Sequence, residues 1–255
     1  MPDRNFDDLA QRFRTNIYGN PKGEIRLTSV WQELTKHLPS LAEGGKTVWD
    51  AGGGLGQLSA LLLEQGHNVI LSDISSEMLA QARRDLTDYV DSGQLKIQQC
   101  AIQDAVQGEA FDVVVCHAVL EWVEEPEPVI ANLVAALRPG GYMSLMFYNR
   151  NALILSNMAK GNLYKLRDED FAGHPGGLTP SYPRDPQWVM KAVQSAGLMV
   201  AARRGVRLCY DLMPRAVRAQ RSVEDMLAID WQYGALEPFW QLGRYVHLLC
   251  RKPLD

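Results

Sequence analysis

A run of glycines, Gly52-Gly53-Gly54 and then Gly56, stands between two acids, Asp50 just before it and Asp73 further on. Glycine lets the backbone turn sharply and lets a ligand approach with no Cβ in the way. Asp73 lies 21 residues after Gly52, the spacing at which a carboxylate accepts hydrogen bonds from the ribose of an adenosine. These residues describe a site for an adenosine-bearing cofactor. Asp50 selects the kind. A negative charge at the turn repels a pyrophosphate and attracts an ammonium or a sulfonium. The run also fits the dinucleotide pattern G-x-G-x-x-G only loosely, because position 57 is Gln57. S-adenosylmethionine is therefore preferred to a nicotinamide dinucleotide.

Other chemistry is sparse. Arg203, Arg204, Arg207, Arg215, Arg218 and Arg221 are gathered in a segment with one acid, Asp211. The net charge of −4 argues against a strongly basic nucleic-acid binder. A local patch still binds phosphate on an acidic protein. Cys100, Cys116, Cys209 and Cys250 are scattered, with no C-x-x-C pair and no histidine at ligand spacing. Reduced, mostly buried thiols are expected, and no metal site. No Ser/His/Asp or Cys/His set stands out.

The elements that must position these residues follow from periodicity. A chain of 255 residues, 46% hydrophobic and 22% charged, suits a soluble α/β domain with a real core. No apolar run is long enough to span a membrane. The segment Met1–Asp8 is polar and lacks the apolar core of a signal peptide. A cytoplasmic protein is expected. Helices are read at residues 5–16 and 25–38, then strands near 47–49, 69–71, 95–97, 111–116 and 143–147. Helices separate them, over 57–63, from Ser75 to Tyr89, and from Val129 to a stop at Pro139-Gly140-Gly141. Such alternation predicts a parallel, doubly wound sheet. Residues 149–182 lose periodicity and read as an insertion or lid. A helix over 187–196, a strand pair at 198–209 and 242–251, and a helix near 214–230 complete the chain. The expected organisation is one domain, residues 1–255. It has a helical cap at 1–44, a cofactor half at 45–147, the lid at 149–182 and the rest of the sheet at 183–255.

The segments Val48-Trp49-Asp50-Ala51-Gly52-Gly53-Gly54-Leu55-Gly56, Asp73, Ala101-Ile102-Gln103-Asp104 and Leu137-Arg138-Pro139-Gly140-Gly141 resemble the class I methyltransferase family over roughly residues 45–147. In that family the turn after the third strand packs on the adenine. The resemblance thus gives Ile102 an apolar contact and the backbone around Gln103 the base edge. It brings the end of the fourth strand, His117, near the methyl group. Further segments lie outside these motifs. They are Asp3 to Asp8, Phe13, Asn16-Ile17-Tyr18-Gly19, His117 to Val123, Ser144 to Asn149, Tyr182 to Pro186 and Leu242-Gly243-Arg244-Tyr245. With them the chain is similar, over nearly its whole length, to a family of bacterial tRNA methyltransferases. Its members esterify 5-carboxymethoxyuridine at the wobble position. The pattern does not align over 160–178.

The resemblance implies a Rossmann-like, mostly parallel sheet of seven strands, with N-terminal helices and an insertion after the fifth strand. It implies a cofactor site of Arg26, Gly52, Gly53, Asp73, Ile102 and His117, with Arg26 on the methionine carboxylate. Its partner would be a tRNA anticodon loop, with the six arginines of 203–221 as candidates for its phosphates. The implied nucleophile is a carboxylate with a pKa of about 4, ionised at neutral pH, so no general base is needed. A cation must still hold it. Arg244 and Arg184 are the candidates, with Tyr148 and Tyr245 as neutral donors. Trp122 and Trp188 are either core residues or platforms for a base. Three other readings stay open: a small-molecule O- or C-methyltransferase of quinone or biotin type, a non-catalytic cofactor-binding subunit, and a nicotinamide enzyme.

Overall fold

The computed structural model describes residue 7 and residues 20–105, 111–171 and 179–254. The helix expected at 5–16, residue 7 apart, the segment Asn16–Gly19 and the lid residues 172–178 lie outside the described residues.

Seven strands form one sheet: β1 (Thr47–Ala51), β2 (Asn68–Asp73), β3 (Leu95–Gln99), β4 (Phe111–His117), β5 (Leu137–Tyr148), β6 (Met199–Val206) and β7 (Tyr245–Arg251). Their order is β3-β2-β1-β4-β5-β7-β6. The first five are parallel, and β7 runs antiparallel to both β5 and β6. This is the expected doubly wound sheet with an antiparallel edge. The order reverses between β1 and β4, so their carboxyl ends open a crevice. Both Asp50 and His117 sit at those ends.

β4 shows why the sheet is buried on both faces. Val114 and Cys116 join one core with the helices Pro126–Ala136 and Pro186–Ser195. Val113 and Val115 join the other, with the helices Pro21–His37, Gln57–Glu64 and Ser76–Asp85. A continuous apolar strand is what two covered faces require. Helix Pro21–His37 begins earlier than its apolar period suggests, because Pro21 sits in its first turn and the Asn20 side chain accepts from the Lys22 N–H. Its second turn places Arg26 in the lining of the crevice.

Two expectations need correction. The segment Pro139-Gly140-Gly141 does not stop the preceding helix, which already ends at Ala136. It lies within β5, where Gly140 takes φ +76° and its N–H reaches the carbonyls of Lys252 and Pro253. The C-terminal tail pairs with it there, so the bend is absorbed as a register shift. The lid is also not irregular throughout. It opens with the helix Arg150–Ala159, capped by Asn149, and continues into Leu163–Arg167. Asn149 is fully buried and donates to the carbonyls of Gln241 and Gly243, while its N–H meets the Arg244 carbonyl. Glycine is required at 243, where a Cβ would lie 2.5 Å from the Val206 nitrogen. The backbone before Arg244 is thereby fixed.

Among the described residues no helix is long and apolar enough to cross a membrane. Cys116 and Cys250 are buried thiols, and Cys100 and Cys209 are half-buried.

Candidate active site

The glycine turn builds the floor of a cavity at the carboxyl ends of β1, β2 and β4. Gly52, Gly54 and Gly56 all take positive φ. Gly53 does not, yet a Cβ there would lie 2.4 Å from Leu71 Cδ1 and 2.5 Å from Asp50 Cγ. Only glycine passes through this gap. Asp73 is held from both sides: the Gly54 N–H donates to Oδ2 and the Ser75 N–H to Oδ1, each at 2.9 Å. A carboxylate has about four acceptor positions, so two remain for ribose hydroxyls. Asp7, from the N-terminal segment, accepts from the Ser75 hydroxyl next door. Asp50 is buried and accepts from the Ser59 hydroxyl at 2.7 Å.

Burial raises the carboxyl of Asp50 to about 6, against the Ser59 hydrogen bond and with a push from Asp73. Burial raises Asp73 as well, against the backbone N–H groups that hold it. Among the described residues no cationic side chain appears in these influences on either acid. A ligand carrying its own positive charge relieves both, which is how the residues present fit S-adenosylmethionine.

All eight cofactor candidates line this one cavity: Arg26, Asp50, Gly52, Gly53, Asp73, Ile102, Gln103 and His117. Ile102 is buried, and Asn132 pins its carbonyl and that of Gln103. Trp122 also lines the cavity and is 9% exposed, whereas Trp188 is 36% exposed on helix Pro186–Ser195. Trp122 is thus the indole near the site.

The acceptor candidates divide. Tyr148 follows Met146, a cavity residue, on the same face of β5. Tyr148 and Tyr245 pack edge to face at 5.7 Å, and the Arg244 guanidinium lies 4.6 Å from the Tyr148 ring. Arg26 lies over the Tyr245 ring at 5.8 Å, linking this cluster to the cavity. Arg244 has no ion-pair partner among the described residues. The Tyr148 hydroxyl is buried without a partner among them, and burial pushes its pKa up to about 12. It is a neutral donor at any physiological pH. Arg184 does not join them. Its guanidinium donates to the carbonyls of Leu120 and Val123, so it bolts the turn after β4 in place.

The six arginines do not form one face. Arg204 is buried and paired with Glu33, lies 4.1 Å over the Trp231 ring, and donates to the carbonyls of Asp230 and Trp231. It cannot reach a phosphate. Removing one partner of a buried ion pair strands the other charge. Arg204→Ala should therefore lower stability by about 3–5 kcal/mol in urea unfolding and leave the salt dependence of RNA binding unchanged. Arg203 pairs with Glu237. Arg207, nearly buried, pairs with Asp211 and lies over the rings of Tyr210 and Tyr245. Arg218 lies over Tyr210. Arg215 and Arg221 are exposed.

Two residues beside the site, neither of them lining the cavity, were not singled out from the sequence. Lys22 sits among Arg207, Arg218 and Arg244; burial lowers its pKa first, and these cations lower it further, against Asp211. Nothing local marks it, since its neighbours come from the far end of the chain. Glu121 does carry a local mark, being an acid inside the apolar run Ala118 to Val123. It is buried with Oε2 unpartnered among the described residues, and burial raises it to about 7 against N–H donors and the charges of Arg26 and Arg184. A carboxyl raised on folding favours the native state below its ordinary pKa and loses that contribution as pH rises through the folded value. Glu121→Gln should therefore gain stability relative to the parent between pH 5 and pH 8, by on the order of 3 kcal/mol. Urea unfolding of both proteins at the two pH values measures it.

Comparison with known proteins agrees with this fold. A profile for the methyltransferase domain matches residues 49–145. The tRNA 5-carboxymethoxyuridine methyltransferase of Escherichia coli (strain K12) is 39% identical over 259 residues, covering 99% of this chain and 98% of that protein. The ubiquinone biosynthesis O-methyltransferase of Coxiella burnetii (strain RSA 493 / Nine Mile phase I) is 31% identical over 158 residues, but covers 57% of this chain and 61% of its own length. Among solved structures, the magnesium protoporphyrin IX methyltransferase of Synechocystis PCC 6803 with bound SAH superposes with a TM-score of 0.64 at 18% identity, over 97% of this chain and 96% of that one. That likeness carries the fold. The full-length relative carries the family: this chain belongs to the S-adenosylmethionine-dependent methyltransferases, in the family of the tRNA 5-carboxymethoxyuridine methyltransferase.

Proposed function

We propose that this protein methylates the carboxylate of 5-carboxymethoxyuridine at the wobble position of tRNA, forming the methyl ester in the cytoplasm. The observation that carries the reading is the Arg244–Tyr148 pair beside the cavity, where among the described residues the cation has no acidic partner and the buried hydroxyl no hydrogen-bond partner. Both groups suit a carboxylate. When bound, S-adenosylmethionine supplies a methyl group on a sulfonium, open to in-line displacement.

The chain's own residues then have three tasks. Arg26, Asp73, Ile102 and the backbone at Gly52, Gly53 and Gln103 hold the cofactor. Arg244 and the Tyr148 hydroxyl orient the acceptor carboxylate, with Tyr245 packing against the Tyr148 ring. Trp122, Met146 and Val119 keep water from the cavity. Water favours separated ions over a transition state in which opposite charges cancel, so its exclusion and the alignment both speed transfer. An ionised carboxylate needs no base, and no side chain is assigned that role.

The anticodon loop supplies phosphates as well as the acceptor. Lys22, Arg207 and Arg218 gather near Arg244, and Arg215 and Arg221 are exposed on the same segment. Each single-strand phosphate contact contributes about 0.7 to the slope of log affinity against log salt. Arg215→Ala with Arg221→Ala should flatten that slope by about 1.4, read by filter binding across salt concentrations.

Labelled S-adenosylmethionine and tRNA that carries 5-carboxymethoxyuridine without its methyl ester test the reaction. Label in tRNA that mild alkali releases is expected, because an ester hydrolyses and a methylated ring or ribose does not. Alkali-stable label, or label only in a small-molecule pool, would overturn the reading.

A further inference from the structure

His117 and His247 are joined through one hydroxyl. Ser144 Oγ on β5 lies 2.8 Å from His117 Nε2 on β4 and 2.8 Å from His247 Nε2 on β7. The two rings stand 5.8 Å apart and nearly perpendicular. Ser144 and His247 are fully buried. His117 lines the cofactor cavity.

A serine hydroxyl has one proton and two lone pairs; were both rings to donate to Ser144 Oγ, its own buried proton would have no acceptor among the described residues, so it donates to one ring and accepts from the other. The far end sets the direction. His247 Nδ1 is buried with no hydrogen-bond partner among the described residues. If His247 Nε2 accepted from Ser144, a neutral ring would carry its proton on Nδ1, as a buried N–H with no acceptor. That orphan costs about 1–3 kcal/mol, and buried orphan N–H groups are rare. If Nε2–H donates instead, only a lone pair is left at Nδ1. The Ser144 proton must then point to His117 Nε2, and the proton of a neutral His117 must sit on Nδ1. Burial holds both rings neutral: His117 is lowered well below the usual imidazole range, and His247 is lowered to about 3.

We propose that Ser144 and His247 are positioning residues that lock His117 in its Nδ1–H tautomer, so that the cavity receives an N–H donor for a carboxylate. The opposite tautomer would turn a lone pair toward the cavity and repel that group. Two carboxylates are available to a site of this kind, that of the cofactor's amino-acid end beside Arg26 and that of the acceptor. The proposal rests on His117 facing the bound cofactor. Its first test needs no ligand, so its failure is separable from a failure of that reading.

The test is long-range ¹H–¹⁵N correlation on the full chain labelled at histidine, without cofactor. The expected pattern is Nδ1–H for His117 and Nε2–H for His247. A charged His117, or Nε2–H on that ring, overturns the proposal. The function of the relay is read in variants. His247→Leu removes the donor, whereas His247→Gln offers an amide N–H at the place of Nε2. The leucine variant should weaken binding roughly tenfold, as one lost hydrogen bond to a charged group does, and the glutamine variant should stay within about twofold. A weaker Kd for S-adenosylhomocysteine assigns the cofactor carboxylate. A raised KM for tRNA at unchanged cofactor Kd assigns the acceptor carboxylate. A His247→Leu protein that folds and binds both normally overturns the proposal, as does one that the glutamine variant does not rescue.

Discussion

Arg244→Ala is expected to lower kcat/KM for tRNA by about 30- to 1,000-fold and to leave the Kd for the cofactor within about twofold. The range corresponds to roughly 2–4 kcal/mol, the usual cost of truncating one partner of a desolvated charge pair. Arg244 is placed to have this effect. Its backbone is tied through Asn149 and its guanidinium lies over the Tyr148 ring, whose hydroxyl has no hydrogen-bond partner among the described residues. It does not line the cofactor cavity, so the two binding events separate. Arg244→Lys keeps the charge and loses the planar fork, and should recover only part of the loss. Steady-state kinetics on unmethylated tRNA, with calorimetric titration of S-adenosylhomocysteine, gives both numbers. Normal kinetics in the alanine variant would remove Arg244 from the acceptor site.

Asp73→Asn should raise the cofactor Kd by about 100-fold. The substitution is nearly isosteric, so the effect is one of hydrogen-bond direction. Both carboxylate oxygens already accept backbone N–H groups, from Gly54 and from Ser75, at 2.9 Å. An amide has one oxygen and one NH2 group, so its nitrogen must face one of these donors. Either the ring of contacts breaks, which displaces the glycine turn, or a donor faces a donor. A ribose hydroxyl also loses a charged acceptor, worth about 1.5–3 kcal/mol. The same titration measures it, with thermal melting to verify the fold. An unchanged Kd would remove Asp73 from the ribose.

The sheet was legible because its strands are short apolar runs that end at marked residues, Asp50, Asp73 and His117. The cavity that the cofactor candidates share was legible for the same reason: all of them but Arg26, which lies on helix Pro21–His37, stand at or just after strand ends, and strand ends converge in a doubly wound sheet. Arg184 and Arg204 illustrate what was not legible. Both are arginines in promising segments, and both have their donors consumed by partners distant in sequence, the Leu120 and Val123 carbonyls and the Glu33 carboxylate. Type and local spacing do not reveal which arginine is already satisfied. Lys22 was missed for the converse reason, since its cationic neighbours converge only through the fold. Residues 139–141 misled because proline and glycine punctuate loops as readily as they bend a strand. The Ser144 relay left no trace in spacing, as three strands contribute one residue each.

The most direct measurement is mass spectrometry of nucleosides from tRNA that lacks the methyl ester, taken before and after incubation with the purified protein and S-adenosylmethionine. The expected result is loss of 5-carboxymethoxyuridine with matching gain of its methyl ester at the wobble position, greatly slowed in Arg244→Ala. The contradicting result is an unchanged 5-carboxymethoxyuridine pool while the protein turns over S-adenosylmethionine on another acceptor.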